Sequence, residues 1–215
     1  MSEGLQAVGQ RLNAVLAEAG LDRLDSAVAD RFEEYLSLLL HWNARINLTA
    51  IRDEEAILSR HFLESIVCAR ALPAGIANLL DFGSGAGFPG VPIALCRPEI
   101  AVTLAESQGK KAAFLQEAVR TLRLSAMVHA HRAELLGFEF DCVTLRAVDR
   151  MPQAVEAAAT MVAPGGWLAL MTTSGELGRL QMAAGAMFAW LSIHLLPGSG
   201  ARLLAFGERC RVPVS

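Results

Sequence analysis

Short apolar segments alternate with amphipathic ones from residue 79 onward, and this alternation constrains the fold more than any other feature of the sequence. The segments predicted as strands lie at residues 79–82, 101–105, 127–130, 140–147, 167–171, 190–196 and 202–206. The helical patterns between them include 108–124, 151–162 and 176–187, and Pro164-Gly165-Gly166 is expected to end the second of these. Strands that alternate with helices form a parallel sheet covered on both faces. Because no helix separates the last two strands, the sheet is expected to end antiparallel.

The N-terminal third of the chain has a different, purely helical pattern. Apolar residues recur at helical spacing over residues 5–16 and again over residues 28–40. The segment 73–78, which contains a proline and a glycine, separates this pattern from the first strand. We therefore expect a helical N-terminal extension, residues 1–72, and an α/β domain, residues 73–215, that together form one compact unit.

Composition restricts the classes of function. With 53% hydrophobic residues and a net charge of −3, the chain is not disordered and has no overall bias towards nucleic acid or membranes. No apolar run approaches the ~18 residues of a membrane span, and the N-terminus has no secretory signal. The four cysteines lack a metal-binding spacing and indicate a reducing compartment. We expect a cytoplasmic monomer without a metal.

A glycine-rich turn at residues 81–90 lies between the first predicted strand and a helix that runs through Cys96. Its sequence is Asp-Phe-Gly-Ser-Gly-Ala-Gly-Phe-Pro-Gly. Glycines in such a turn allow the backbone to reverse sharply and to approach a ligand that a Cβ atom would exclude. In this strand–turn–helix context, the pattern predicts a nucleotide-cofactor site.

Two cofactor classes compete for this turn, a dinucleotide and S-adenosylmethionine. A dinucleotide places its pyrophosphate at the helix N-terminus, where Asp81 would repel it and where Pro89 and Pro92 remove amide donors. S-adenosylmethionine has no phosphate, and its sulfonium or amino group would attract the Asp81 carboxylate. Glu106, at the end of the second strand, could accept hydrogen bonds from the ribose of either cofactor. The turn therefore favours S-adenosylmethionine over a dinucleotide as the cofactor, and it disfavours a nicotinamide-dependent oxidoreductase.

The end of the fourth strand narrows the chemistry. Leu145-Arg146-Ala147-Val148 stands where amino-group methyltransferases commonly have an Asn/Asp-Pro-Pro-aromatic segment, and no Pro-Cys pair supplies a thiolate nucleophile. Some target atoms are already nucleophilic and need only alignment with the methyl group. Purine N7 is an example of such an atom. No general base is therefore assigned. Arg146, at the carboxyl end of the strand, lies where open α/β sheets bind their ligands, and we expect it to position the reactants.

Several motifs give the sequence a resemblance to a known family. They are Trp42-Asn43-x-x-Ile46-Asn47-Leu48-Thr49, Arg60-His61-Phe62-Leu63-Glu64-Ser65, Gly83-x-Gly85-x-Gly87-Phe88-Pro89-Gly90, Glu106-Ser107-x-x-Lys110-Lys111 and Arg132-Ala133-Glu134. In this order, the chain resembles the bacterial 16S rRNA (guanine-N7)-methyltransferases, also called the glucose-inhibited division protein B family. The resemblance implies a Rossmann-like S-adenosylmethionine-dependent methyltransferase fold, with a mostly parallel seven-stranded sheet and a helical N-terminal extension. It also implies methylation of guanine N7 at position 527, in the 530 loop.

The turn and the resemblance together assign the candidate site residues. Those expected at the cofactor are Asp81, Gly83, Gly85, Gly87, Phe88, Glu106, Ala133, Glu134 and Arg146. The resemblance places Arg146 at the mouth of the active site. On the RNA side it implies Arg60, His61, Lys110, Lys111 and Arg202. The expected partner is 16S rRNA, as naked RNA, in the 30S subunit or in an assembly intermediate.

The chain departs from the family pattern at three places. Leu145 replaces the usual serine, Met171-Thr172-Thr173 lacks the usual lysine, and Glu106 replaces the more common aspartate. Two alternatives therefore stay open. One is a methyltransferase that acts on a small molecule, and the other is a non-catalytic RNA-binding or assembly module that retains the cofactor pocket.

Overall fold

The computed structural model describes residues 7–211, so the predicted helical position Leu5 lies outside the described residues. The strands are β1 (Asn78–Phe82), β2 (Ala101–Ala105), β3 (Ala126–His129), β4 (Phe140–Arg146), β5 (Val162–Thr173), β6 (Phe188–Leu195) and β7 (Arg202–Arg209). The α-helices are α1 (Val8–Glu18), α2 (Ser26–Asn43), α3 (Glu54–Ala56), α4 (Leu63–Ala71), α5 (Gly90–Cys96), α6 (Gly109–Thr121), α7 (Met151–Ala159) and α8 (Ser174–Ala184). A π-helix covers Ile57–Phe62, and a 3₁₀ helix covers Ala133–Leu136.

The seven strands of the described segment form one sheet in the order β3-β2-β1-β4-β5-β7-β6. β1 to β5 are parallel to one another, whereas β7 is antiparallel to both β5 and β6. The predicted antiparallel end of the sheet is confirmed. The direction of winding reverses between β1 and β4, and open α/β sheets bind ligands beyond the carboxyl ends of the strands at such a reversal.

The boundary between α7 and β5 differs from the prediction. The helix ends at Ala159 and the strand begins at Val162, so the segment 164–166 belongs to β5. The register between β4 and β5 shifts at this point, which leaves room for a proline that cannot donate to the ladder. A Cβ atom on Gly166 would lie 2.8 Å from the Asp141 carbonyl oxygen. Proline and glycine mark an irregular strand start here, rather than a helix end.

The N-terminal helices form one layer of the main core. Tyr35 of α2 stacks on Phe62 of the π-helix, with 5.3 Å between ring centroids, and lies 5.5 Å from Phe88, which follows β1. Leu12 of α1 belongs to the same buried cluster as Leu79 of β1. On the opposite face of the sheet, α7 and α8 cover a second cluster. No helix in residues 7–211 is both long and apolar enough to cross a membrane.

Candidate functional site

A cleft of about 760 Å³ opens beyond the carboxyl ends of the parallel strands, where the winding reverses. The predicted residues that line it are Gly83, Gly85, Phe88, Glu106, Ala133, Glu134, Arg146, His61 and Lys111. The cleft is also lined by the previously unassigned Thr49, His131, Arg132 and Arg150. A more open depression between α2 and α6, lined by residues such as Glu33 and Thr121, lies away from the strand ends. The sheet thus brings most of the predicted site together.

Asp81 supports the glycine-rich loop from below and does not line the cleft. It is 1% exposed, and its carboxylate accepts hydrogen bonds from the Gly90 amide (3.1 Å) and the Thr144 hydroxyl (2.9 Å). Burial raises the pKa of this carboxyl group to about 6, and these hydrogen bonds oppose the shift. One carboxylate oxygen thus bonds the turn and the other bonds β4, so the side chain lies beneath the loop, and its contact with the cofactor stays a prediction.

Close packing explains the glycines that follow. A Cβ atom on Gly90 would overlap the Leu104 side chain and lie 2.6 Å from Asp81 Oδ2. Gly87 has a φ of +91°, and a Cβ atom there would lie 2.7 Å from the Tyr35 hydroxyl oxygen. That hydroxyl donates to the Ala86 carbonyl at 2.5 Å. Gly87 therefore does not line the cleft as expected but lets α2 pack against the back of the loop.

Replacing Gly90 by alanine is expected to lower the free energy of unfolding by about 1–3 kcal/mol, because the methyl group must displace Leu104 or Asp81. Gly178, inside α8 and facing open space, gives a matched control. The same substitution there should be neutral or stabilise by up to about 1 kcal/mol. Urea denaturation followed by circular dichroism measures both. Equal stability of the two variants would contradict the packing role of Gly90.

Four amides of the glycine-rich loop donate hydrogen bonds within the protein, which bears on the class of cofactor that the cleft can bind. The amide of Ser84 donates to the Ala105 carbonyl, and the amides of Gly87 and Phe88 donate to the Ser84 carbonyl. The Gly85 amide donates to the Glu106 carboxylate at 3.0 Å. A pyrophosphate would require such amides as free donors. The loop therefore fits a phosphate-free cofactor such as S-adenosylmethionine better than a dinucleotide.

Glu106 links the end of β2 to this loop. Its side chain lines the cleft, the residue is 6% exposed, and its second oxygen accepts from the Gln108 amide at 2.7 Å. A carboxylate can accept about four hydrogen bonds, so each oxygen retains capacity for a ligand hydroxyl. Glu106 is thus fixed in place with acceptor capacity left at the cleft, and its contact with a cofactor ribose stays a prediction.

Arg146, at the end of β4, is engaged with the N-terminal helices. One guanidinium nitrogen donates to the Arg60 carbonyl (2.8 Å) and to Glu64 (2.6 Å), and the other donates to the Ser65 hydroxyl (3.2 Å) and weakly to the His61 carbonyl (3.5 Å). Glu64, with only 1% of its side chain exposed, also pairs with Arg202 at 2.6 Å. Arg146 therefore fixes the π-helix beside the cleft, which makes it a positioning residue.

The predicted cations differ in how they are placed. Arg202 is paired with Glu64, and neither it nor the exposed Arg60 and Lys110 lines the cleft. Lys111 lines the cleft, as do Arg132 and Arg150, and none of these three has a salt bridge within the described part of the chain. The sequence analysis did not assign Arg150 to the site, because this residue lies four positions after the end of β4. Its position in the loop at the carboxyl edge of the sheet could have indicated that it lines the cleft.

His61 forms part of the cleft wall. Its Nε2 atom lies 2.8 Å from the Thr49 hydroxyl oxygen, and its ring stacks on Phe88 with 4.6 Å between centroids. Burial, followed by the charges of Arg146 and Arg60, lowers the pKa of His61 to about 3. Within residues 7–211, its buried Nδ1 atom has no hydrogen-bond partner. His61 is therefore a neutral imidazole with one unused polar atom.

The low pKa of His61 predicts an acid-dependent loss of stability. In the unfolded chain His61 becomes protonated below about pH 6.5, whereas in the folded protein it stays neutral down to about pH 3. The unfolded state therefore binds more protons between these two values, and the free energy of unfolding falls as the pH falls. The stability of wild type minus that of His61→Phe should decrease by about 1–2 kcal/mol between pH 7 and pH 5. Asp81, whose raised pKa acts in the opposite direction, is present in both proteins and cancels. A constant difference would show that His61 titrates normally.

The fold is shared with solved methyltransferases of low sequence identity. An S-adenosylmethionine-dependent O-methyltransferase from Thermotoga maritima aligns with a TM-score of 0.55 and 14% identity, covering 69% of this chain and 65% of its own. The N-methyltransferase NodS from Bradyrhizobium japonicum aligns with a TM-score of 0.52 and 16% identity, covering 68% and 93%. These likenesses confirm the predicted Rossmann-like methyltransferase fold.

The sequence decides the family. A family model named GidB, described as rRNA small subunit methyltransferase G, matches residues 29–188. The chain belongs to the GidB family. A GidB relative named ribosomal RNA small subunit methyltransferase G, from Halorhodospira halophila, is 40% identical over 195 residues, which cover 89% of this chain and 91% of the relative. A relative of the same name from Neisseria meningitidis is 40% identical over 176 residues, covering 80% and 84%. The predicted family resemblance is confirmed.

Proposed function

We propose that this GidB protein methylates N7 of guanine 527, in the 530 loop of 16S rRNA, with S-adenosylmethionine as the methyl donor. The observation that carries the proposal is the strand-end cleft of a GidB chain. Four of its loop amides are hydrogen-bonded internally, and its rim carries three cations that form no salt bridge within residues 7–211. When bound, the cofactor supplies an electrophilic methyl group. The loop at 83–88, Glu106 and the segment Ala133-Glu134 would hold it.

The side chains of the cleft suit a reaction that removes no proton before methyl transfer. Guanine N7 carries a lone pair and no hydrogen, so alignment is sufficient. His61 is neutral with a lowered pKa, and Glu106 is engaged by two amides. Arg146 holds the π-helix through two backbone carbonyls. The protein's task is therefore to position N7, and Arg146 acts through the segment that it fixes.

Lys111, Arg132 and Arg150 would contact the RNA backbone at the rim of the cleft. In A-form RNA, N7 lies in a deep and narrow major groove, so the target guanine must be unpaired or extruded to enter. We further propose that the protein acts in the cytoplasm as a monomer. Its substrate would be naked 16S rRNA, the 30S subunit or an assembly intermediate. Leu145 and Met171 are buried, which supports the view that their departures from the family pattern leave the cleft intact.

The test is to incubate the purified protein with methyl-labelled S-adenosylmethionine and with either 16S rRNA or 30S subunits that lack the modification. We expect label at N7 of guanine 527, and a kcat/KM that falls steeply with salt because RNA binding releases counterions. Transfer to small nucleosides alone, with little salt dependence, would favour the small-molecule alternative. Cofactor and RNA binding without transfer would favour the non-catalytic module. Either result would overturn the proposal.

A further inference from the structure

Tyr35, the single tyrosine of the chain, joins the N-terminal helices to the glycine-rich loop. It is fully buried in α2, and its hydroxyl donates to the Ala86 carbonyl oxygen at 2.5 Å, across 51 positions of the sequence. Ala86 lines the cleft, whereas no residue of α1 or α2, whose described residues are 8–18 and 26–43, does so. The N-terminal helices therefore contact the wall of the cleft from behind, through a side-chain hydrogen bond.

The peptide group between Ala86 and Gly87 is held at both of its polar atoms. Its N–H, on Gly87, donates to the Ser84 carbonyl oxygen at 2.7 Å, and its carbonyl oxygen accepts from Tyr35. Among the described residues, no second donor bonds this carbonyl. A buried carbonyl that loses its donor keeps its desolvation cost, so the orientation of this peptide depends on the hydroxyl.

Gly87 is the reason why the orientation must be selected. Its φ is +91°, and glycine enters this region about as readily as the region of negative φ. The backbone at Gly87 therefore permits the preceding peptide to rotate, which a side chain would hinder. Phe88 follows directly and lines the cleft, so a rotated peptide would displace the part of the loop that faces a ligand. The Tyr35 hydroxyl thus selects one shape of a segment that could adopt others.

The neighbouring aromatic rings fix the direction of the hydroxyl. The Tyr35 ring stacks on Phe62, with 11° between the ring planes, and lies 6.5 Å from Phe114 between centroids. Burial, followed by the charge of Asp81, raises the pKa of Tyr35, so the phenol stays protonated and remains a donor at neutral pH. Because Tyr35→Phe keeps the ring and removes only the hydroxyl, the contribution of the bond can be measured apart from that of packing.

We propose that the Tyr35 hydroxyl is a positioning group for S-adenosylmethionine, although it lies outside the cleft. It holds the peptide between Ala86 and Gly87 in the orientation that gives the loop at 83–88 its binding shape. Part of the affinity for the cofactor is therefore supplied by the N-terminal helices. The inference rests on the proposed function, because it takes this loop as the cofactor site.

The first test compares the binding of S-adenosylmethionine to wild type and to Tyr35→Phe by isothermal titration calorimetry. We expect a Kd about 10-fold higher for the variant, because the cofactor must then also impose the orientation of the peptide. In assays on 16S rRNA, the KM for S-adenosylmethionine should rise by a similar factor. The kcat at saturating cofactor and the KM for RNA should stay within about 2-fold of wild type. Equal Kd values would overturn the proposal.

Phe32→Leu is the matched control for a general loss of stability. Phe32 is fully buried in α2 and packs on Phe62, with 5.1 Å between ring centroids, but it has no polar group that could bond the loop. This substitution should lower the urea midpoint, as Tyr35→Phe also does, and leave the Kd and the KM for the cofactor unchanged. If both variants lose affinity in proportion to their loss of stability, the hydroxyl has no positioning role.

The second test follows the loop itself in the cofactor-free protein. In Tyr35→Phe, the amides of Gly87 and Phe88 should exchange hydrogen about 10-fold faster relative to the amides of β1. An unchanged ratio would contradict the proposal. If wild type binds no S-adenosylmethionine, the inference and the proposed function fail together. If it binds the cofactor but transfers no methyl group to RNA, the proposed function alone fails, and the comparison of Kd values still decides the role of Tyr35.

Discussion

Replacing Glu64 by alanine is expected to lower the free energy of unfolding by about 3–5 kcal/mol. Its carboxylate is 1% exposed and lies between Arg146, at 2.6 Å, and Arg202, also at 2.6 Å. Without this carboxylate, the two guanidinium groups lose their shared counter-charge, and Arg146 has only 13% of its side chain exposed. A buried charge that loses its partner keeps its desolvation cost. Urea denaturation at pH 7.5 gives the change directly.

The matched controls are the two arginines. Arg202→Ala should cost no more than about 1 kcal/mol, because its side chain is 30% exposed and Glu64 keeps its bond to Arg146. Arg146→Ala should lower the free energy of unfolding by an amount between those for Glu64→Ala and Arg202→Ala, because it leaves the Arg60 and His61 carbonyls without this donor. An equal loss for all three variants, or a loss below about 1 kcal/mol for Glu64→Ala, would show that the cluster is not held by the buried carboxylate.

Replacing Glu106 by alanine is expected to weaken S-adenosylmethionine binding by about 100-fold, the second large effect. The substitution removes the acceptor that we propose for the cofactor ribose, and it also frees the Gly85 and Gln108 amides, which position the loop. Isothermal titration calorimetry measures the affinity. Glu156→Ala, which removes an exposed carboxylate from α7, should have no effect. Unchanged affinity of Glu106→Ala would remove this residue from the cofactor site.

The sequence was sufficient to predict where the strands lie, that the first five run parallel to one another and that the sheet ends antiparallel. Each of these features depends on local periodicity and on whether a helix connects two strands. The start of β5 was mispredicted because Pro164 and Gly166 usually end helices, and only pairing with β4 shows that they begin a strand. The π-helix was not foreseen. Its register is stabilised by a guanidinium from β4, which no local pattern contains.

The candidate site was predicted where position along the chain is enough. Glu106 and Arg146 follow directly from strand ends. The partners of these residues could not be predicted from the sequence, because Glu64 and Arg146, which pair in the structure, lie 82 positions apart. For the same reason, the burial of Asp81 beneath the loop was not foreseen, because whether a carboxylate lies in a cleft or under a loop depends on the finished fold.

The bond from the Tyr35 hydroxyl to the Ala86 carbonyl has a consequence for how such enzymes can diverge. Because α2 reaches the back of the cofactor loop, the N-terminal helices and the loop must change in concert. A different N-terminal segment could not simply be grafted onto this sheet. Here the graft would need to carry a hydroxyl to Ala86, leave space for Gly87 and bring a carboxylate to Arg146. The N-terminal helices and the glycine-rich loop of this chain are therefore one structural unit, and a sequence change on either side is constrained by the other.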